Sequence, residues 1–195
     1  VSDVVVGSVA LPSKSPLAFL YTNALPVSAL TVMDSSLDTP VPRTIGLHAP
    51  VRSVFPTVNG KFALVLHDVT TPGAYSSALS LVPIEVNLPS KIQGLHAEPQ
   101  SVALAPDGSR ALLAIGSKKD PPYQMLVARM PSLKVDLYTL ASEPLSAGIV
   151  HGANAGFVAQ KHPEGRITFI HFASDQIRTL TGFELATKVV NGSTP

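Results

Sequence analysis

Short apolar runs recur along the chain at nearly constant spacing, separated by turn-forming residues. Ser-Val or Ser-Ala pairs stand at Ser8-Val9, Ser53-Val54, Ser101-Val102 and Ser146-Ala147, at spacings of 45, 48 and 45 residues. Downstream of each pair lies a second apolar run: Leu17–Tyr21, Phe62–Leu66, Ala111–Ile115 and Phe157–Ala159. A third follows at Ala29–Val32, Ala78–Val82, Gln124–Ala128 and Ile167–Ile170, and a fourth, more polar, at Val41–Leu47, Lys91–Leu95, Val135–Leu140 and Ile177–Leu185. Each run has strand length, and none carries a sustained 3.6-residue apolar stripe, so strands are expected and helices are not.

The turns support this reading. Asn59-Gly60 and Asp107-Gly108 separate the first and second runs of two units. Both are strong hairpin dipeptides, and the tight two-residue turn they favour needs positive φ at both residues. Asn154-Ala155-Gly156 is a looser version, and Ser13-Lys14-Ser15-Pro16 replaces it in the first unit. Eighteen Pro and 13 Gly punctuate the chain. Gly46-Leu47-His48-Ala49 repeats as Gly94-Leu95-His96-Ala97, 48 residues on, and Tyr75/Tyr123 and Pro83/Pro131 keep that offset.

Four strands in about 45 residues make one blade of a β-propeller. The expected fold is all-β: a β-propeller with four blades of four antiparallel strands, over approximate repeats 1–50, 51–98, 99–144 and 145–190, then a linker at 191–195. Inner strands buried by neighbouring blades read as continuous apolar runs, and the half-wet outer strand reads as polar. Propellers have typically four to eight blades. Three arrangements follow: a piece of a larger propeller, a homodimer forming one eight-bladed ring, or a closed four-bladed disc.

The segment Pro99-Gln100-Ser101-Val102-Ala103-Leu104-Ala105-Pro106-Asp107-Gly108-Ser109-Arg110-Ala111-Leu112-Leu113 resembles the YVTN/lactonase-like β-propeller repeat, with its Pro, apolar strand, Pro-Asp-Gly turn and second strand. Ala29-Leu30-Thr31-Val32-Met33-Asp34 resembles the strand that follows in that repeat. The resemblance implies a propeller and carries over no catalytic residue. The WD40 signature is missing, since the chain has no Trp.

Composition narrows the functions. The 195 residues carry 14 Lys+Arg against 13 Asp+Glu and no Cys. Balanced, sparse charge gives no nucleic-acid footprint. Zero Cys excludes disulfides, Cys-ligated metals and thiol catalysis. No apolar run reaches the ~18 residues of a membrane-spanning helix. Asn191-Gly192-Ser193 matches the glycosylation pattern.

His48 and His96 occupy equivalent positions just before the next unit's first strand, at one end of a propeller and near its axis. Paired imidazoles there are candidates for a metal or ligand site. The bland alternative is that each His bonds a neighbouring backbone group. His67, His151, His162 and His171 show no mutual spacing that suggests a site. Lys118-Lys119-Asp120-Pro121-Pro122 and Asp68–Ala74 lengthen the second-to-third-strand loop of two units. Loops on a rigid scaffold often bind, so Lys118, Lys119 and Asp120, with Tyr75 and Tyr123 at the loop ends, are candidate partner contacts. A Tyr there can equally pack its ring on the strand. The expected function is a non-catalytic scaffold that binds a protein or ligand, with no cofactor, as an extracytoplasmic piece of a larger protein. The partners are a protein or further propeller blades. The alternative is a lactonase-like hydrolase with a metal or His site at the central channel.

Overall fold

The computed structural model describes residues 6–69, 73, 75–85, 88–130 and 132–182. These hold sixteen strands and no helix. The first sheet is β1 (Ser8–Ala10), β2 (Leu17–Tyr21), β3 (Ala29–Asp34) and β4 (Arg43–Gly46); the second is β5 (Val51–Pro56), β6 (Phe62–Asp68), β7 (Ser77–Pro83) and β8 (Lys91–Leu95). The third is β9 (Pro99–Leu104), β10 (Arg110–Ile115), β11 (Gln124–Arg129) and β12 (Lys134–Thr139). The fourth is β13 (Pro144–Val150), β14 (Ala155–Gln160), β15 (Arg166–His171) and β16 (Gln176–Thr181). In each sheet the strands lie in sequence order, the meander of a propeller blade. The four expected blades are present. The expected linker and Asn191-Gly192-Ser193 lie outside the described residues.

The chain forms two compact units. One holds the first two blades with Leu104–Ala111 and Ala128–Val135; the other holds Pro99–Ala103, Leu112–Val127 and the chain from Asp136. In the first, β2 and β3 of one blade pack against β5, β6 and β7 of the other through Phe19, Leu30, Val54, Val65 and Val82. Every residue of β7 is buried. That explains why its sequence, apolar but for Ser77 and Ser80, shows no regular alternation: the sheet is covered on both faces and has no solvent side to report. Each fully buried Leu contributes roughly 1.5–3 kcal/mol. In the second unit Leu112, Leu113, Ile115, Leu126 and Ile170 are fully buried.

The expected two-residue turns are corrected. Gly60 and Gly108 both sit at φ 70°, but Asn59 and Asp107 do not take positive φ. Gly60 N donates to Thr57 O at 2.8 Å and Thr57 N to Phe62 O at 2.8 Å. Gly108 N donates to Ala105 O at 2.9 Å and Ala105 N to Arg110 O at 2.9 Å. These are longer loops that end in a left-handed residue, so glycine alone needs positive φ. Asn59 and Asp107 act through their side chains: Asn59 Oδ1 accepts from Lys61 N at 3.0 Å, and Asp107 Oδ1 from Ser109 N at 2.9 Å. In the β13–β14 turn of the fourth blade the left-handed residues are Gly152 and Asn154, and Gly156 lies within β14. The first-blade outer strand is shorter than Val41–Leu47, and the last starts at Gln176 and ends at Thr181, with 183–185 outside the described residues.

Candidate functional site

Two polar regions stand at opposite ends of the second blade. At the loop end, His48 is exposed between β4 and β5, and His96 is half-buried between β8 and β9. Ser76 Oγ donates to His96 O at 2.6 Å. Among the described residues no group of three or more His, Asp or Glu is placed to hold a metal ion. Tyr75, 55% exposed, lays its ring over Gly94: a Cβ built there would stand 2.6 Å from Tyr75 Cγ. The ring therefore covers strand β8 and also explains why glycine occupies that position. Asp68 ends β6, and residues 70–72 and 74 of its loop lie outside the described residues.

The other long loop belongs to the second unit. Ser117 N and Asp120 N exchange bonds with each other's carbonyls at 3.2 and 3.1 Å, and Lys118 N donates to Glu143 Oε1 at 2.8 Å. Lys119 N donates to Ser117 Oγ at 3.2 Å. The loop is thus tied down through its backbone, with the Lys118, Lys119 and Asp120 residues exposed. Tyr123 is half-buried, and its carbonyl accepts from Leu140 N at 2.8 Å.

A histidine that spacing did not single out organises the loop end. His67 is fully buried, with Nδ1 at 2.9 Å from Ala49 O and 3.1 Å from Pro50 O, and Nε2 at 2.7 Å from Ser80 Oγ. Carbonyls only accept, so Nδ1 carries the proton and Ser80 donates to Nε2. Burial pushes the imidazole below its ordinary pKa; the Pro50 and Ala49 carbonyls and Asp68 oppose this, and His48 adds to it. The ring pins the loop entering β5 to strand β7. This Ser–His contact is sealed in the core and lacks a carboxylate on Nδ1, so it is a structural tie and not a nucleophile pair.

The fourth blade repeats the device with other residues. Buried Gln160 Nε2 donates to Thr168 Oγ1 at 2.6 Å, and Gln160 Oε1 accepts from Ser142 N at 3.3 Å. Thr22, His67, Ile115 and Gln160 are separated by 45, 48 and 45 residues, the spacings of the Ser-Val pairs. Strands β5 and β13 each break register beside these ties, between Val51 and Ser53 and between Pro144 and Ser146. The signal was positional, and the changing residue type hid it. On the surface above His67, Arg52 pairs with Glu98 and lies 3.9 Å from Asp68. The Glu98 hydrogen bond raises the Arg52 pKa further.

At the turn end lies a groove. Its first part, about 540 Å³, has an apolar floor of Leu17, Val32, Val41 and Ile84, with Asp34, Arg43, Lys61 and Glu85 around it. Its second part, about 320 Å³, shares Asn59, Lys61 and Glu85 and continues past Leu88 to Asp107. Arg43 Nη2 donates to Ile84 O, which joins the two blades across the floor. Ser36, through its hydroxyl and its amide, holds the Asp34 carboxyl below its ordinary pKa, and the Ser109 amide leads the same effect on Asp107. Both carboxylates are charged at neutral pH.

No family model matches the chain, and no curated protein does. Solved structures do. The chain is similar to a component of the mitotic checkpoint complex at TM-score 0.60 and 12% identity, over 91% of this chain and 51% of that one. Hydrazine synthase from Kuenenia stuttgartiensis matches at 0.55 and 15%, over 92% and 52%. The β-propeller domain of Cps50 (Swd1) from Myceliophteria thermophila matches at 0.58 and 12%, over 93% and 56%. The chain spans about half the length of each. At such identities the likeness shows fold alone: these residues have the β-propeller fold.

Proposed function

We propose that the chain is a non-catalytic propeller scaffold that supplies four blades to a larger assembly and binds a protein partner on its surface. The observation that carries this is the apolar character of the two terminal blade faces. In the first blade, Val9 and Leu20 pair on the face turned away from the second blade, and Val9 is 54% exposed. In the fourth, Phe157 and Phe169 pair on the face turned away from Leu112, with ring centroids 6.3 Å apart. Leu180 beside them is half exposed. Such faces are normally covered by the next blade. The Pro106-Asp107-Gly108-Ser109 turn supports kinship with the YVTN-like repeat. The structural neighbours include a mitotic checkpoint complex and supply a precedent for a propeller working within an assembly.

Light scattering and a hydrophobic dye test the reading together. A dimer that binds no dye assigns the covering blades to a second copy. A monomer that binds dye, and loses it in Phe157→Ser/Phe169→Ser, assigns them to another segment. A monomer that binds no dye overturns the incomplete-propeller reading. Hydrolysis of a simple lactone, lost in His48→Ala or His96→Ala, would overturn the non-catalytic reading.

A further inference from the structure

We propose that the open face of the fourth blade binds the open face of the first blade in a second copy of this chain, with the Arg178 guanidinium donating to the Ser35 carbonyl across the contact. This rests on the incomplete-propeller reading and names the chain that covers the open faces. The contact between the first two blades supplies the template. There Phe19, Val32 and Arg43 pair in one row across β2, β3 and β4. Phe19 and Val32 share a core with Val54, Ala63, Val65 and Val82 of the second blade, and Arg43 Nη2 donates to Ile84 O.

Each half of that contact recurs on an open face. Phe157, Phe169 and Arg178 pair in the same way across β14, β15 and β16. No blade follows them among the described residues, and Arg178 is exposed. Leu180 stands opposite Ile167 as Ile45 stands opposite Leu30; Ile45 packs on the first unit's core, whereas Leu180 is 50% exposed. On the first blade, the pairs Val9–Leu20 and Ala18–Met33 match Val54–Val65 and Ala63–Val82 of the second. Val54 is 6% exposed and Val9 54%. Ser35 matches Ile84: Ser35 N donates to Pro16 O at 2.9 Å, as Ile84 N does to Lys61 O at 2.8 Å.

Side-chain size follows the same rule. The second strands carry a small residue, Ala18, Ala63, Ala111 or Gly156, each followed by a large apolar one. Phe19 shares its core with Ala63, and a Cβ built at Gly156 would stand 2.9 Å from Leu112 Cδ2. A large residue of one blade thus rests on the small residue of the next. Among the described residues, Phe157 has no following blade to rest on and Ala18 has no preceding blade above it. One chain therefore carries both halves of a blade contact, and a second copy satisfies each with the other. The chain covers 56% of the Cps50 propeller domain, and a second copy is of the right order of length for the rest.

Light scattering on the full chain and its variants tests this. Val9→Arg spoils the first-blade face and Leu180→Arg the fourth-blade face, and both sites are open enough for the fold to tolerate the change. A charge buried without a partner in the contact is costly. Wild type is expected at the mass of two copies and each variant alone at one. Their equimolar mixture should return to two, because each variant keeps the face that the other has lost. Such rescue is peculiar to a contact between unlike surfaces. Arg178→Ala should weaken association by about tenfold or more, since it removes a hydrogen bond from a charged donor. A wild-type monomer, a variant that dimerises alone, association indifferent to Arg178→Ala, or a mixture of folded variants that stays monomeric would overturn the proposal. Circular dichroism checks the folding, and Val9→Ser or Leu180→Ser replaces a variant that fails it. A wild-type monomer that binds the hydrophobic dye leaves the incomplete-propeller reading standing, whereas one that binds none takes that reading down as well.

Discussion

The two ends of the second blade are built from the same strands and behave as opposites. At the loop end, several side chains are spent on holding the protein together: His67 ties Ala49 and Pro50 to Ser80, Arg52 pairs with Glu98, and Tyr75 covers Gly94. At the turn end, carboxylates and apolar side chains surround an open groove. Conspicuous residues therefore do not by themselves mark a working surface. Imidazoles, aromatics and charges that satisfy one another hold a blade in shape.

Removing the closed end's pin should have the largest effect. His67→Ala leaves a cavity and strips partners from two carbonyls and the Ser80 hydroxyl, so a loss of about 2–4 kcal/mol is expected in urea unfolding. Leu88→Ser in the groove should stay within about 0.5 kcal/mol, as exposed substitutions do. If the two variants unfold alike, the contrast between the ends fails.

Glycine at the turn comes next. Gly108 combines φ 70° with a Thr57 Cβ only 2.9 Å from where its own Cβ would stand. Gly108→Ala should cost about 1–2 kcal/mol by thermal melting, because strain and crowding add. A wild-type melting curve would contradict this geometry.

The pH response sharpens the comparison. His67 has a folded pKa below its unfolded value. The unfolded chain binds this proton near pH 6.5 and the folded chain does not. The contribution of the neutral ring is thus fully present above about pH 6.5 and declines as pH falls from there towards the folded pKa. His67→Gln should flatten that slope, since Gln160 fills the equivalent position in the fourth blade without titrating. An unaltered stability–pH slope in His67→Gln would assign the dependence to another group.

The smallest expected effect distinguishes two equivalent glycines. Gly94→Ala must lift the Tyr75 ring and should cost about 1 kcal/mol or less, whereas a Cβ on Gly46 meets nothing within 4 Å. Gly46→Ala should leave the melting temperature unchanged or slightly raised. Reversal of that order would mean that Tyr75 does not rest on β8.

Much of the fold was legible because a blade is a local object. Strands that pair are consecutive in the chain, so the order of apolar runs and turns is also the order in the sheet. The turn residues were legible by type and misread in conformation: Asp107 bonds forward to Ser109, and glycine alone needs the left-handed region. His67 was visible as a residue yet hidden as a tie, because Thr22, Ile115 and Gln160 stand at the matching positions. The groove was not legible, since Asp34 and Arg43 come from one blade and Lys61 and Glu85 from the next. Its walls meet only when Phe19, Val65 and their neighbours pack the blades together.

Native-state hydrogen exchange of the full chain and of His67→Ala tests the contrast between the two ends most directly, because it reports both ends of the blade in one experiment. Faster exchange at 48–52 in His67→Ala, with 59–62 and 84–85 unchanged, is the predicted result. Equal acceleration at both ends, or none at 48–52, would contradict it.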